Sequence, residues 1–499
     1  MKKLFLLTAL FVAAAFPSCS KHDGVETPDW PEPQPLAIAF VEGNSLQFDT
    51  DETKTVHYTI TGGSDKTVVT AELQTADDAY AVETTPTSAT EGTITITAKA
   101  PETENCIIVT VSDGSQSVTA EIAIALKASF DGKTIVVETP GTLWSLLADY
   151  DSTTITELTV IGNLNDADIA TLKWLPNLAI LDMENVNLEK LPFVAFCDNT
   201  SLTFVKLPLT LKTIGNSAFS NCSNLTSITI PNSVTTIGER AFEDCRGLTS
   251  VTIGNSVTTI ESYAFSSCNR LAGVYITDIA KWCAIEFEDN ANPLSYAHNL
   301  YLNGELVTDL VIPDSVTEIR SLTFYGCSSL TSVTIPDGVT TIESDTFRGC
   351  SSLASITIPD GVTTIGSWAF SSCSGLTSIT IPDGVTSIGS GAFSSCSGLT
   401  SVTIPDSVTS IGDSAFFNCR NLTSITIPDG VTLIGDYAFF KCRNLTSIYC
   451  KAIVPPSTGN YTFNSVNATA TLYVPTGCKA AYAAAAGWKD FKTIKETQF

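Results

Sequence analysis

The sequence predicts a mainly β protein, in which a β-sandwich precedes a repeat solenoid of 23-residue coils. From Leu202 onward a 23-residue unit recurs, and each copy begins with leucine or valine. Before that repeat, runs such as "TVHYTI" and "IIVTVSDG" alternate apolar and polar residues and are separated by turn residues. Alternation with period two is typical of half-buried strands. At 499 residues, of which 43% are hydrophobic, the chain is long enough to form several cores.

The first residues have the pattern of a secretion signal that ends in a lipidated cysteine. Lys2 and Lys3 precede a short apolar run that ends at Ser18 and Cys19. The run is short for a bilayer span, and its end resembles the bacterial lipobox, in which the cysteine is acylated and becomes the new N-terminus. We therefore predict a signal peptide over 1–18, lipidation of Cys19 and an outer-membrane lipoprotein. An ordinary signal peptide with an incidental cysteine is the alternative.

Two segments are expected between the anchor and the repeats. The segment 19–35 carries four closely spaced prolines, Pro28, Pro31, Pro33 and Pro35. Such spacing favours extended polyproline II, so this segment is predicted to be a stalk. The alternating runs from 36 to 127 predict a small β-sandwich of the immunoglobulin-like kind.

The repeat domain is expected to have distinct ends. Segment 128–201 predicts an N-terminal cap with irregular first coils, and its "TPGTLWSLLADY" predicts a helix with Thr142 as a candidate N-cap. Regular coils then run over 202–444, interrupted by an irregular 36-residue unit at 271–306. The segment 445–499 predicts a last coil and a capping helix.

Each coil has the residues of a short strand, a turn, a second inward pair and a short helical turn. Eight positions in one coil are predicted to point inward: Leu376, Ile379, Ile381, Val385, Ile388, Ala392, Phe393 and Cys396. Full burial of a large apolar side chain contributes about 1.5–3 kcal/mol, but a single coil cannot cover both of its own sides. The coils are therefore expected to stack.

The consensus of the coils, LTSxTIPxxVTxIGxxAFxxCxx, closely resembles the BspA-type leucine-rich repeat family, roughly from Ile155 to the C-terminus. The resemblance implies a non-enzymatic leucine-rich repeat solenoid that serves adhesion or recognition at the cell surface. It implies host or bacterial surface proteins as partners. A glycan-binding or accessory lipoprotein of a carbohydrate-uptake system is the alternative, and the periplasmic face of the membrane stays open as a location.

Nine cysteines recur at one position of the coil: Cys222, Cys245, Cys268, Cys327, Cys350, Cys373, Cys396, Cys419 and Cys442. Nine copies with no histidine nearby argue against a catalytic thiol, and CxxC pairs that would favour zinc do not occur. Parallel Cβ vectors in stacked coils disfavour the disulfide dihedral. We predict a row of small buried thiols, with scattered disulfides as the alternative. Cys450 and Cys478 are the better candidates for a disulfide.

Binding residues are expected at the positions where the coils differ, because the positions that all coils share form the core of the stack. Exposed aromatic residues at variable positions are the candidates: Tyr263, Trp368, Phe417, Tyr437 and Phe440. The irregular unit adds Trp282 and Tyr301, and its Asn303-Gly304 predicts a hairpin. The coil that carries Gly391 at the variable position is expected to be among the least informative.

Composition argues against several other functions. A formal net charge of -26 disfavours nucleic acid as a partner, since phosphates need a basic surface. The chain has three histidines and contains no GxSxG, Walker-type or HExxH pattern. We therefore predict no catalytic residues, no metal and no cofactor.

Overall fold

The computed structural model describes residues 36–41, 45–48, 53–62, 64–74, 80–99, 105–114, 116–126 and 133–499. The chain forms two compact units, 1–129 and 130–499, each described separately below. The signal segment, Cys19 and the stalk lie outside the described residues. No helix in the described part is long and apolar enough to span a bilayer.

The first unit contains two four-stranded sheets with a shared core, as the alternating pattern predicted. Its strands are β1 (Ala37–Phe40), β2 (Ser45–Phe48), β3 (Thr53–Thr61), β4 (Val68–Leu73), β5 (Tyr80–Pro86), β6 (Glu91–Ala98), β7 (Asn105–Ser112) and β8 (Ser117–Leu126). The sheets have the orders β1-β3-β6-β5 and β2-β8-β7-β4. Every second residue of β6 is buried from Gly92 to Ala98, which puts one face of the strand in the core. Gly92 is required because the Tyr58 ring lies where a Cβ would stand.

The second unit opens with an entry cap that contains β9 (Thr134–Val137), α1 (Leu143–Leu146), β10 (Glu157–Asn163) and α2 (Asp166–Lys173). The helix α1 begins after Thr142, as predicted, but the Thr142 hydroxyl donates to the Thr139 carbonyl and does not cap it. The buried carboxylate of Asp168 does so instead, accepting from the Leu143 and Gly141 amides at 2.9 and 2.6 Å. Asp168 thus joins the two short helices.

The coils that follow are stacked in parallel, and the 23-residue solenoid is confirmed. The first strands of the coils are Ile180–Asp182, Phe204–Lys206, Ser227–Thr229, Ser250–Thr252, Gly273–Ile276, Leu300–Leu302, Asp309–Val311, Ser332–Thr334, Ser355–Thr357, Ser378–Thr380, Ser401–Thr403, Ser424–Ile427, Ser447–Cys450, Thr471–Pro475 and Thr493–Thr497. The shorter strands are Val186–Asn187, Lys190–Leu191, Thr213–Ile214, Thr236–Ile237, Thr259–Ile260, Glu286–Phe287, Thr341–Ile342, Thr364–Ile365, Ser387–Ile388, Ser410–Ile411, Leu433–Ile434 and Ser457–Thr458. Ile228 pairs with Val251, one repeat later, so equivalent side chains form rows along the stack.

The phenylalanine of each coil forms a stacked row, the phenylalanine ladder, in two runs: Phe196, Phe219, Phe242 and Phe265, then Phe324, Phe347, Phe370, Phe393, Phe416, Phe439 and Phe463. Neighbouring ring centroids are 5.2–5.6 Å apart. Most of these rings are fully buried. The last ring, Phe463, is only partly buried.

The nine recurring cysteines form a buried row, the cysteine ladder, and all of them are free thiols. Eight thiols donate to the carbonyl of the ladder phenylalanine one coil earlier, as Cys396 does to Phe370 at 3.0 Å. The same carbonyl also accepts the backbone N–H of Cys373 at 3.2 Å. Cys327 is the exception, and its sulfur lies 3.6 Å from the Ser329 hydroxyl. The thiols therefore fill space and also satisfy backbone carbonyls.

The irregular unit interrupts the ladder with α3 (Ile279–Cys283) and α4 (Leu294–Ala297). The hairpin predicted at Asn303-Gly304 is confirmed by the antiparallel pairing of Leu302 with Glu305. Trp282 is buried, its ring lies 5.1 Å from the Phe287 ring, and its indole N–H donates to the Thr323 carbonyl at 3.0 Å. Trp282 and Phe287 of this unit therefore belong to the hydrophobic core.

The C-terminal cap contains α5 (Lys479–Ala484) and the final strand Thr493–Thr497. Trp488 is buried and donates to the Pro456 carbonyl at 2.8 Å. The candidate disulfide is absent: Cys450 and Cys478 are both free thiols in the described structure. The Cys450 sulfur instead accepts a hydrogen bond from the Tyr482 hydroxyl at 3.1 Å.

Candidate binding surface

One residue of each coil, directly before the Ala-Phe or Thr-Phe pair, has a left-handed backbone. This set, the turn row, has φ of 52–67° and comprises Val194, Ser217, Arg240, Tyr263, Leu322, Asp345, Trp368, Gly391, Ser414, Tyr437 and Tyr461. Ten of its eleven members are not glycine. A left-handed conformation costs a residue with a Cβ about 1–2 kcal/mol. The stack holds these residues in place, because the amides of all of them except Tyr461 donate to a carbonyl of the next coil, as Trp368 N does to Ser390 O at 2.8 Å.

Around Arg348 the turn row forms an aromatic and cationic group, the Arg348 cluster. The guanidinium carbon of Arg348 lies 5.6 Å from the Tyr325 ring centroid and 5.4 Å from that of Trp368. Its Nη1 donates to the Asp345 carboxylate at 2.9 Å, which fixes the guanidinium plane. Arginine between two aromatic rings is a stable, pre-oriented arrangement.

Gly391 also belongs to this cluster, although its coil was expected to be among the least informative. The Trp368 indole lies over the Gly391 Cα, where a Cβ would overlap the ring. Gly391 also has φ of 65°. Glycine at this position of the turn row therefore makes room for the tryptophan of the preceding coil.

A second group, the C-terminal aromatic cluster, brings together three of the predicted residues with one that was not predicted. Phe417 and Phe440 stack at 5.6 Å, and Tyr437 meets Phe440 edge-on at 5.5 Å. Tyr437 also stacks on Tyr461 at 5.3 Å. The Lys441 ammonium lies 5.2 Å from the Phe440 ring and 5.6 Å from the Phe417 ring. The cluster is partly exposed, with 37% exposure for Tyr437 and 57% for Tyr461.

The remaining predicted residues lie apart from these clusters. Tyr263 belongs to the turn row, beneath the Arg240 guanidinium at 5.6 Å. Tyr301 lies on the strand side, stacked on Tyr275 at 4.5 Å. Trp282 is 1% exposed and belongs to the core, so a ligand cannot reach it and it is no longer a binding candidate.

Three cavities of about 240–510 Å³ lie beside these residues in the described part of the chain. Two adjoin the Arg348 cluster, with volumes of about 480 and 240 Å³, and Tyr325 and Arg348 line both. The third, about 510 Å³, lies under the C-terminal cap and is lined by Tyr461. Within the described residues, no group of three His, Cys, Asp or Glu side chains is placed to hold a metal ion.

Sequence reasoning missed Arg240, Arg348 and Tyr461. The 23-residue period did not point to Tyr461, because its coil is one residue longer than the regular coils. The segment "NYTF" nevertheless matches "DYAF", which contains Tyr437. Arg348 occupies the same coil position as Tyr325 and Phe417, directly after the ladder phenylalanine. The one-coil offset between Tyr325 and Arg348 was the available signal, since equivalent positions in neighbouring coils are in contact.

Segments 181–290, 297–409 and 386–485 match the model of the BspA type leucine-rich repeat region, in six copies. Together they span more than half of the chain. No curated protein matches it.

Several solved structures are similar to this chain. One is a leucine-rich repeat protein of Bacteroides ovatus ATCC 8483, with 23% identity and a TM-score of 0.38 over 68% of this chain and 88% of that chain. Another is a leucine rich cell surface protein of Faecalibacterium prausnitzii A2-165, with 23% identity and a TM-score of 0.33 over 71% and 86%. A leucine-rich repeat protein of T. pallidum has 30% identity and a TM-score of 0.28 over 39% and 76%.

Proposed function

The chain belongs to the BspA-type leucine-rich repeat family, and on this premise we propose that it is a non-enzymatic binding protein of the cell envelope. Its ligand is an extracellular protein on a host or bacterial surface, recognised through the turn row and the aromatic residues beside it. The observation that carries the proposal is the pair of aromatic and cationic clusters around Arg348 and Lys441.

The residue types favour a protein ligand. Tryptophan, tyrosine and arginine are the side chains that most often dominate the energy of protein interfaces. Trp368 and Tyr437 occur three coils apart, which corresponds to about 14 Å at the usual strand spacing of about 4.8 Å. Both clusters therefore fit within one interface of standard size, about 800 Å² per partner. A small molecule bound at one cluster would not reach the other.

The backbone of the turn row adds a second argument. Glycine would relieve the left-handed conformation at every position, yet Tyr263, Trp368 and Tyr437 are aromatic. Backbone strain that persists in a repeat is typical of positions where side chains are needed. The rigid backbone also lowers the entropy lost on binding, since the side chains are already oriented.

Replacing Trp368 or Tyr437 by alanine is expected to weaken ligand binding about tenfold or more, the usual effect of losing a hot-spot residue. Gly391→Ala should weaken it as well, because its Cβ displaces the Trp368 indole. The measurement is surface plasmon resonance with purified extracellular matrix and cell-surface proteins as analytes. Tyr449→Ala is the matched control, since this tyrosine stacks on Tyr473 on the strand side.

Two results would contradict this proposal. One is that no protein of the panel binds at micromolar concentration. The other is that Trp368→Ala, Tyr437→Ala and Tyr449→Ala bind their ligand equally well, which would place the interface elsewhere.

We include a lipid anchor at Cys19 and an outer-membrane location with the repeats facing outward. Support comes from the basic residues, apolar run and terminal cysteine of the first segment. Cys19→Ala is expected to abolish labelling by a radioactive fatty acid and to move the protein from the membrane to the soluble fraction. Protease added to intact cells should remove the repeats of the wild-type protein; complete protection would argue for the periplasmic face.

A further inference from the structure

The cavity beneath the C-terminal cap combines aromatic surface with unpaired polar groups. Its volume is about 510 Å³, within the range of small-molecule sites. Its apolar lining includes Tyr461, Phe463 and Phe491, and its polar lining includes Asn464, Asn467 and Asp490. Lys492 lies at the same cavity.

The aromatic part arises because the phenylalanine ladder ends here. Phe463 stacks on Phe439 at 5.4 Å on one side. No further ladder phenylalanine follows; the buried Trp488 lies tilted against Phe463 at 4.9 Å, and Phe491 meets it edge-on at 5.2 Å. Phe463 and Phe491 are both only partly buried, so some ring surface faces the cavity. Tyr461, 57% exposed and held by its left-handed backbone, supplies a third ring.

The polar part offers both donors and acceptors. The side-chain oxygen Oδ1 of Asn467 accepts from the Thr469 amide and hydroxyl at 2.9 and 2.7 Å. The side-chain oxygen Oδ1 of Asn464 accepts from the Ser465 hydroxyl at 2.9 Å. These bonds orient the two carboxamides and leave their NH₂ groups without a partner among the described residues.

Asp490 and Lys492 complete the set. Both are exposed, and neither side chain forms an ion pair or a hydrogen bond within the described part of the chain. They contribute one carboxylate acceptor and one ammonium donor, so the cavity carries no net charge from its lining side chains. An anion would meet the Asp490 carboxylate as well as the Lys492 ammonium, and a lipid chain would displace water from four polar groups without replacing its hydrogen bonds, which is costly.

We propose that this cavity binds a neutral saccharide, as a mono- or disaccharide unit of a larger glycan. A pyranose ring presents C–H groups on its face, which pack on aromatic rings, and hydroxyls at its edge, which both donate and accept. This matches three rings surrounded by two carboxamides, a carboxylate and an ammonium. The site shares Tyr461 with the proposed protein interface, and its other lining residues lie outside that interface.

The test uses the purified full chain on an array of neutral and acidic oligosaccharides. Calorimetry then follows with the neutral disaccharide that gives the strongest signal. Tyr461→Ala and Asp490→Ala are each expected to lower its affinity about tenfold or more, since each removes ring contact or a charged hydrogen-bond partner. Both residues are exposed, so folding should be retained, and circular dichroism checks this. Tyr473→Ala, a stacked tyrosine of the strand side, should bind like the wild type.

Three results would overturn this proposal: no neutral saccharide binds at millimolar concentration, acidic saccharides alone bind, or both variants bind like the wild type. Failure here is distinguishable from failure of the protein interface. Trp368→Ala should weaken protein binding and leave saccharide binding intact, whereas Asp490→Ala should do the reverse.

Discussion

Raising the pH from 9 to 11 is expected to unfold the repeat domain. Burial raises the pKa of the Cys222, Cys268 and Cys396 thiols to about 12, from an ordinary value near 9. Burial, followed by neighbouring thiols, raises the pKa of Cys373 and Cys419 well above 9. The folded protein therefore keeps these protons through a range in which the unfolded chain releases them.

Proton linkage gives the direction and the size of the change in the free energy of unfolding. Below pH 9 the thiols are protonated in both states, and their contribution to stability is fully present. As the pH rises from 9 towards 12, the unfolded chain binds fewer protons than the folded one. The free energy of unfolding then falls by about 1.4 kcal/mol per pH unit for each such thiol. Nine thiols in one row make the loss steep compared with a stability of about 5–15 kcal/mol.

Circular dichroism between pH 7.5 and 11, combined with urea titrations at each pH, would measure this slope. The matched variant is Cys373→Ala with Cys396→Ala, which is expected to reduce the slope by about 3 kcal/mol per pH unit. The stability of this variant at neutral pH should be lower than that of the wild type. The alanine side chains are smaller than the thiols and leave small cavities, and the Phe347 and Phe370 carbonyls each lose a hydrogen-bond donor. An identical slope in both proteins would contradict a role for the thiols, and return to pH 7.5 should restore the fold.

The repeat period alone was sufficient to predict the frame of the solenoid. A constant spacing of 23 residues places equivalent side chains in register, so the inward positions of one coil, such as Phe393 and Cys396, predict those of all the others. The alternating runs likewise predicted the strands of the first unit. In both cases a repeated pattern reports burial directly.

The binding surface was harder to predict, for reasons that particular residues show. The left-handed turn row carries no glycine signature, because tertiary bonds hold residues such as Trp368 and Tyr437 in that conformation. The coil of Gly391 was expected to be among the least informative, although the missing side chain of this glycine makes room for the neighbouring Trp368 indole. Trp282 was misplaced because the irregular unit has no period to separate inward from outward residues.

Replacing Phe370 by alanine is expected to destabilise the repeat domain by about 3–5 kcal/mol. Phe370 is fully buried, and its ring stacks on Phe347 at 5.6 Å and on Phe393 at 5.5 Å. The variant loses the transfer free energy of the ring, leaves a cavity that the rigid coils cannot close, and removes two stacking contacts of about 0.5–1.5 kcal/mol each.

Because each coil touches only its neighbours, the loss is local, and the stack should weaken at this point before it unfolds elsewhere. Hydrogen exchange should show the largest loss of protection in coils 347–393, and urea unfolding should become less cooperative. Phe417→Ala is the matched control, since Phe417 follows the ladder ring Phe416 but lies partly exposed on Phe440. Its effect on stability should stay below about 1.5 kcal/mol. Equal destabilisation by the two variants would mean that the ladder does not hold neighbouring coils together.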